Sequence, residues 1–103
     1  MNYNKIISPD QLQQMLERKE EPIVIDIREQ ISYFKPIQGA EHIPASQINN
    51  FISKLNKSKA IVLYCRHGVD SFFIMNMLSI DYGFKNVYSL KGGIEAWYKF
   101  KKI

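Results

Sequence analysis

Two short runs, Ile23-Val24-Ile25-Asp26-Ile27 and Ala60-Ile61-Val62-Leu63-Tyr64, are apolar at almost every position rather than at alternate ones. A strand with one face in water alternates; a run without alternation is covered on both faces, the condition of a parallel sheet with helices above and below. The intervening sequence supplies the helices. Ser8-Pro9-Asp10-Gln11 reads as an N-cap, a proline at the first helical position and a capping-box glutamine, and Leu12, Met15 and Leu16 follow at helical spacing. Phe72 to Tyr82 reads as a second helix closed by Gly83, and Lys91-Gly92-Gly93 turns into a last one with Ile94, Trp97 and Tyr98 on one face. Ile48, Phe51, Ile52 and Leu55 follow the i, i+3, i+4, i+7 rule of a core-facing helix, with Ser46 as its cap. Ile6-Ile7, a brief Glu41-His42-Ile43 and Asn86 to Leu90 complete the strands. The alternation predicts an α/β fold, and 103 residues fit one domain over 1–103.

Composition narrows the function classes. No run approaches the roughly 20 apolar residues of a membrane span, and Met1 to Lys5 is too polar to open a secretory signal, so no membrane association and a cytoplasmic location are expected. The net charge of +4 favours anionic small molecules or acidic partners. Nucleic-acid binding calls for a denser basic stripe with surface aromatics, and none is expected.

Cys65 is the only cysteine, so it makes no internal disulfide and no multi-thiolate metal site. It follows the strand Ala60–Tyr64 and precedes a helix, at the carboxyl end of a strand, where open sheets of this class place their sites. Loop amides and a helix N-terminus converging there would stabilise a thiolate or a bound anion, which makes Cys65 a candidate nucleophile. The competing reading is a small buried apolar residue.

Four segments carry a resemblance. Asp26-Ile27-Arg28-Glu29, Gly39-Ala40 with Ile43-Pro44, the Cys-x-x-Gly loop from Cys65 to Gly68, and Asn86 to Trp97 with its Leu-Lys-Gly-Gly-Ile-x-Ala-Trp ending resemble a single-domain rhodanese in order and spacing. The likeness spans Ile6 to Tyr98. It implies a five-stranded parallel sheet flanked by helices on both faces and a sulfurtransferase or sulfur carrier. Sulfane sulfur would ride on Cys65 as a persulfide, taken from thiosulfate or a persulfide donor and passed to cyanide or another thiol. The loop of Arg66, His67, Gly68, Val69, Asp70 and Ser71 would bind the terminal sulfur or the donor's oxyanion, with no metal or organic cofactor.

The departure is Asp70. Many thiosulfate-handling members carry an arginine there, and an acid reverses the charge, so thiosulfate turnover is expected to suffer more than the nucleophilicity of Cys65. Aspartate is also a good N-cap, and Asp70 is expected to cap a helix starting near Ser71. Arg66 is read as a solvated cation near the mouth, His67 as a solvated loop histidine rather than a proton shuttle, and Asp26 with Arg28 as a structural tie between loops. The alternative to an enzyme is a catalytically silent rhodanese-like interaction module. A phosphatase of similar fold would need an arginine closing the loop, where Asp70 and Ser71 stand. Asn76 and Ser79 are expected to mark the outer face of the second helix, with Phe72 beside them docking a protein thiol acceptor.

Overall fold

A computed structural model describes residues 5–102. Met1 to Asn4, most of the stretch read as too polar for a signal, lie outside the described residues. The strands are β1 (Ile6–Ile7), β2 (Ile23–Asp26), β3 (Glu41–His42), β4 (Ile61–Tyr64) and β5 (Val87–Leu90); the helices are α1 (Pro9–Glu17), α2 (Val69–Tyr82) and α3 (Gly93–Lys101). All five strands pair in parallel in the order β1-β5-β4-β2-β3, the expected all-parallel sheet.

The near-continuous apolar runs have their physical reason in two cores, one on each face. Ile61, Leu63 and Cys65 point to the face covered by α2, among Ile25, Met75, Leu78 and Phe84, whereas Val62 and Tyr64 point to the face of α1 and α3, among Leu12, Ile94 and Trp97. Every residue of β4 is buried, so no position along it could be polar toward solvent. The start of α1 is as expected: Ser8 accepts from the Gln11 amide and Gln11 reaches back to the Ser8 amide. Gly83 ends α2 in the left-handed conformation at φ 73°, which glycine adopts without strain.

Two expectations give way. The stretch around Ile48 is not one amphipathic helix capped by Ser46 but two 3-10 turns, Ala45–Asn50 and Ile52–Lys54. The spacing was compatible with either, but the paired asparagines are weak helix formers. Ser46 gives its amide and hydroxyl to the Glu29 carboxylate at 2.9 and 2.6 Å instead of to a helix end. The outer face of α2 is also different. Asn76 is buried and donates to the Phe72 carbonyl at 2.9 Å, while Val69, Phe73, Ile80 and Tyr82 are exposed large apolar residues of the helix. A helix apolar nearly all round has no polar stripe to reveal its orientation, and a single amide can be satisfied by its own backbone. Phe72 packs against the α2-side core.

Candidate active site

The loop from Cys65 to Gly68 joins the carboxyl end of β4 to the start of α2, and its shape is set by backbone rather than by a side-chain cap. Gly68, at φ +95°, is the N-cap of α2; a Cβ there would lie 3.0 Å from the Gly92 nitrogen. Helical residues therefore begin at Val69, and Asp70 sits inside the first turn instead of capping it. Its carboxylate is exposed and still gains from the helix N-terminus.

The turn brings two amides onto the sulfur. Cys65 Sγ accepts from the Gly68 N–H at 3.1 Å and from the Ser71 N–H at 3.4 Å, and lies 3.5 Å from Ser71 Oγ. Cys65 is buried, at 6% exposure, and lines a pocket of about 190 Å³ with Ile27, Arg28, Glu29, Tyr33, Arg66 and Asp70 around it. This is a thiol held under donors that suit negative charge, in a cleft large enough for a few heavy atoms.

The opposite side of the loop is held just as closely. The carbonyls of Cys65 and Arg66 accept from the Ile94 and Glu95 amides at the start of α3, at 2.9 and 3.3 Å. This approach explains the second glycine of the Gly92-Gly93 pair, because a Cβ on Gly93 would collide with both carbonyls. The glycine pair thus fixes the loop from behind while its amides face the sulfur.

Both arginines at the pocket are paired with acids that do not line it. Arg28 is tied to Asp26 through Nε and Nη2, at 2.6 Å for the shortest contact, and its Nη1 donates to the Tyr33 carbonyl at 2.8 Å. That pairing raises its already high pKa, chiefly through the hydrogen bonds to Asp26. The expected tie between loops is present, and its guanidinium also edges the pocket. Arg66 rests over the Tyr33 ring, 5.0 Å from its centroid, with Nε 3.7 Å from Glu95. His67 turns away from the sulfur to Glu95 at 3.0 Å, and this hydrogen bond holds the Glu95 carboxyl below the usual carboxylate range. Glu29, held low by its hydrogen bonds from Ser46, brings a second acid beside Asp70.

Of the loop residues named from sequence, Cys65, Arg66 and Asp70 meet at the pocket, and Gly68 and Ser71 act on the sulfur through their amides. His67 and Val69 instead border a second groove of about 350 Å³ on the far side of the loop, with Phe72, Phe73 and Lys91. Glu29, Tyr33 and Ser89 were not singled out. Glu29 closes the quoted Asp26–Glu29 motif, the one local signal that could have drawn it in.

Comparison with known proteins gives the same frame. Residues 8–100 match the family model of the rhodanese-like domain. The thiosulfate sulfurtransferase GlpE of Coxiella burnetii is 36% identical over 83 residues, covering 80% of this chain and 77% of that protein. GlpE of Shewanella oneidensis is 36% identical over 100 residues, covering 96% and 97%. Among solved structures, the rhodanese-like domain of an Anabaena protein is 28% identical with a TM-score of 0.79, covering 97% of this chain and 76% of that one. A rhodanese-related protein of Thermoplasma volcanium has the same fold at a TM-score of 0.80 and 24% identity, covering 93% and 92%. This chain belongs to the rhodanese-like family, in which these curated relatives are named as sulfurtransferases.

Proposed function

We infer that the protein, acting as one rhodanese-like domain, moves sulfane sulfur through a persulfide on Cys65. The observation that carries this reading is the sulfur itself, held by the Gly68 and Ser71 amides at the floor of a pocket. In the first step the Cys65 thiolate attacks the outer sulfur of the donor; the donor's S–S bond breaks and its electron pair leaves on sulfite or on a thiolate. In the second, an acceptor thiolate or cyanide attacks the terminal sulfur of Cys65–S–S⁻, and Cys65 departs as a thiolate. The same two amides stabilise the anion that opens the cycle and the anion that closes it. A chain whose only cysteine must stay reduced suits a cytoplasmic location.

Donor choice follows from charge. Glu29 and Asp70 both border the pocket, while Arg28 is engaged by Asp26 and Arg66 is shared with Glu95. A doubly negative donor meets twice the repulsion of a singly charged one, so a neutral or cationic persulfide is the preferred donor and thiosulfate a poor one. For a protein thiol acceptor, the apolar surface beside the loop is the groove lined by Val69, Phe73 and the half-buried Phe72 expected from sequence. Phe73→Ala is expected to slow transfer to a protein acceptor and leave transfer to cyanide unchanged.

Intact mass tests the reading. Incubation with a persulfide donor should add one sulfur to the wild type and none to Cys65→Ser. No gain on a folded wild type with an accessible thiol would leave the silent interaction module as the better account. The two carboxylates beside the sulfur are what favours that second reading.

A further inference from the structure

Behind Cys65, on the side away from the pocket, two serines stand where the packing would otherwise be apolar. Ser89 is 1% exposed and Ser71 0% exposed, and their hydroxyl oxygens lie 2.7 Å apart. Ser89 belongs to β5, in register with Leu63 of β4, and its neighbours on the same sheet face are Val87 and Leu63. A buried hydroxyl there costs free energy unless it is hydrogen-bonded, and the Ser89 hydroxyl bonds to Ser71. Ser71 Oγ in turn lies 3.5 Å from the sulfur. Three polar atoms from the end of β4, α2 and β5 thus form a line ending at the reacting atom.

The geometry points to Ser89 as a positioning residue that acts on Cys65 through Ser71, forming a reversible hydroxyl wire tuned to the charge on the sulfur. A hydroxyl both donates and accepts, so the line has two self-consistent orientations. With the neutral thiol, Cys65 S–H donates to Ser71, and Ser71 donates to Ser89. With a thiolate or a persulfide, both hydroxyls turn round: Ser89 donates to Ser71, and Ser71 donates to the sulfur. The reversed line adds a third donor to the two amides, and Ser89 strengthens it by polarising the Ser71 hydroxyl in a water-poor interior. This inference rests on Cys65 as the nucleophile, but its test does not require sulfur transfer.

The test is the rate of Cys65 alkylation by iodoacetamide between pH 5 and 10. The other titratable or charged groups that border the sulfur's pocket are Asp70 on α2, Arg66 in the loop, and Arg28, Glu29 and Tyr33 after β2, and the variants used leave all of them in place. Ser89→Ala is expected to move the midpoint of the profile to higher pH and to slow alkylation at neutral pH by roughly two- to ten-fold. Ser71→Ala should do at least as much, and the double variant no more than Ser71→Ala alone, because Ser89 has no route to the sulfur without Ser71. An unchanged profile in Ser89→Ala, or effects that simply multiply in the double variant, would overturn the wire. If Ser89→Ala lowers the melting temperature appreciably, Ser89→Thr decides: a wild-type profile supports the hydroxyl, and an alanine-like profile rejects it. Failure of sulfur loading in the mass experiment with these profiles intact would sink the proposed function and leave the wire standing.

Discussion

Asp26 and Arg28, two residues apart at the end of β2, form a buried ion pair whose shortest contact is 2.6 Å, with the aspartate fully buried and the arginine nearly so. The Arg28 amide also donates to Asp26 Oδ1 at 3.0 Å, so one carboxylate orders both the backbone turn and the guanidinium. The guanidinium then carries the pair onward to the Tyr33 carbonyl. An arginine that edges the sulfur pocket is thereby neutralised before any substrate arrives, and the loop bearing Tyr33 is pinned over the pocket.

Removing one partner leaves an uncompensated charge in the interior. Asp26→Ala is expected to destabilise the fold by about 3–5 kcal/mol, and Arg28→Met by a similar amount. Urea unfolding monitored by Trp97 fluorescence measures both. A loss below about 1 kcal/mol in either variant would mean that the pair is far better hydrated than its burial indicates.

Gly93 has no room for a side chain. At φ +64°, with the Cys65 and Arg66 carbonyls against the position of a Cβ, Gly93→Ala must push the cysteine loop away from α3. The expected cost is at least about 2 kcal/mol, combining the left-handed conformation with the lost Ile94 and Glu95 hydrogen bonds. Thermal melting gives the stability, and the alkylation rate of Cys65 reports the loop. Both should change together.

Acidic residues at the pocket should govern the donor. Asp70→Asn and Glu29→Gln are each expected to raise kcat/KM for thiosulfate about ten-fold, while a neutral persulfide donor responds much less. Added salt should raise the wild-type rate with thiosulfate by screening the same repulsion. Initial rates of sulfite release at two ionic strengths are sufficient; a flat response in both variants would rule out charge as the basis of donor choice.

Tyr64 makes stability depend on alkali. Burial drives its phenol pKa well above the ordinary value of 10, despite the hydrogen bond that its oxygen accepts from the Ile37 amide at 2.9 Å. The folded state keeps the proton that the unfolded chain gives up, so this contribution is fully present below about pH 10 and is lost as pH rises through the folded value. Urea midpoints should therefore fall above pH 10. Tyr64→Phe should lose most of that slope and, by stranding the Ile37 N–H, cost about 1–3 kcal/mol at neutral pH.

What could be read along the chain was what local composition dictates. The non-alternating runs of β2 and β4, the capping box at Ser8 and the glycine after Tyr82 each act over a few residues, so the α/β order and the placing of Cys65 after a strand were legible. The motifs from Asp26 to Trp97 also pointed to the rhodanese-like family. Where several local structures fit one pattern, packing chose. Spacing from Ile48 to Leu55 suited a helix, yet two 3-10 turns formed, and the apolar α2 could not declare that Asn76 turns inward while Phe73 is more exposed than Phe72.

The sequence alone determined the strands, the three helices α1, α2 and α3, and that one thiol would stand where β4 meets α2, because those outcomes follow from burial periodicity and turn chemistry. Only the tertiary structure decided what surrounds that thiol. The parallel register that sets Ser89 beside Leu63, and the loop that carries Glu29 to the same pocket as Asp70, join residues far apart in the chain. No local pattern encodes such meetings; they exist only once the sheet has paired and both of its faces have been covered.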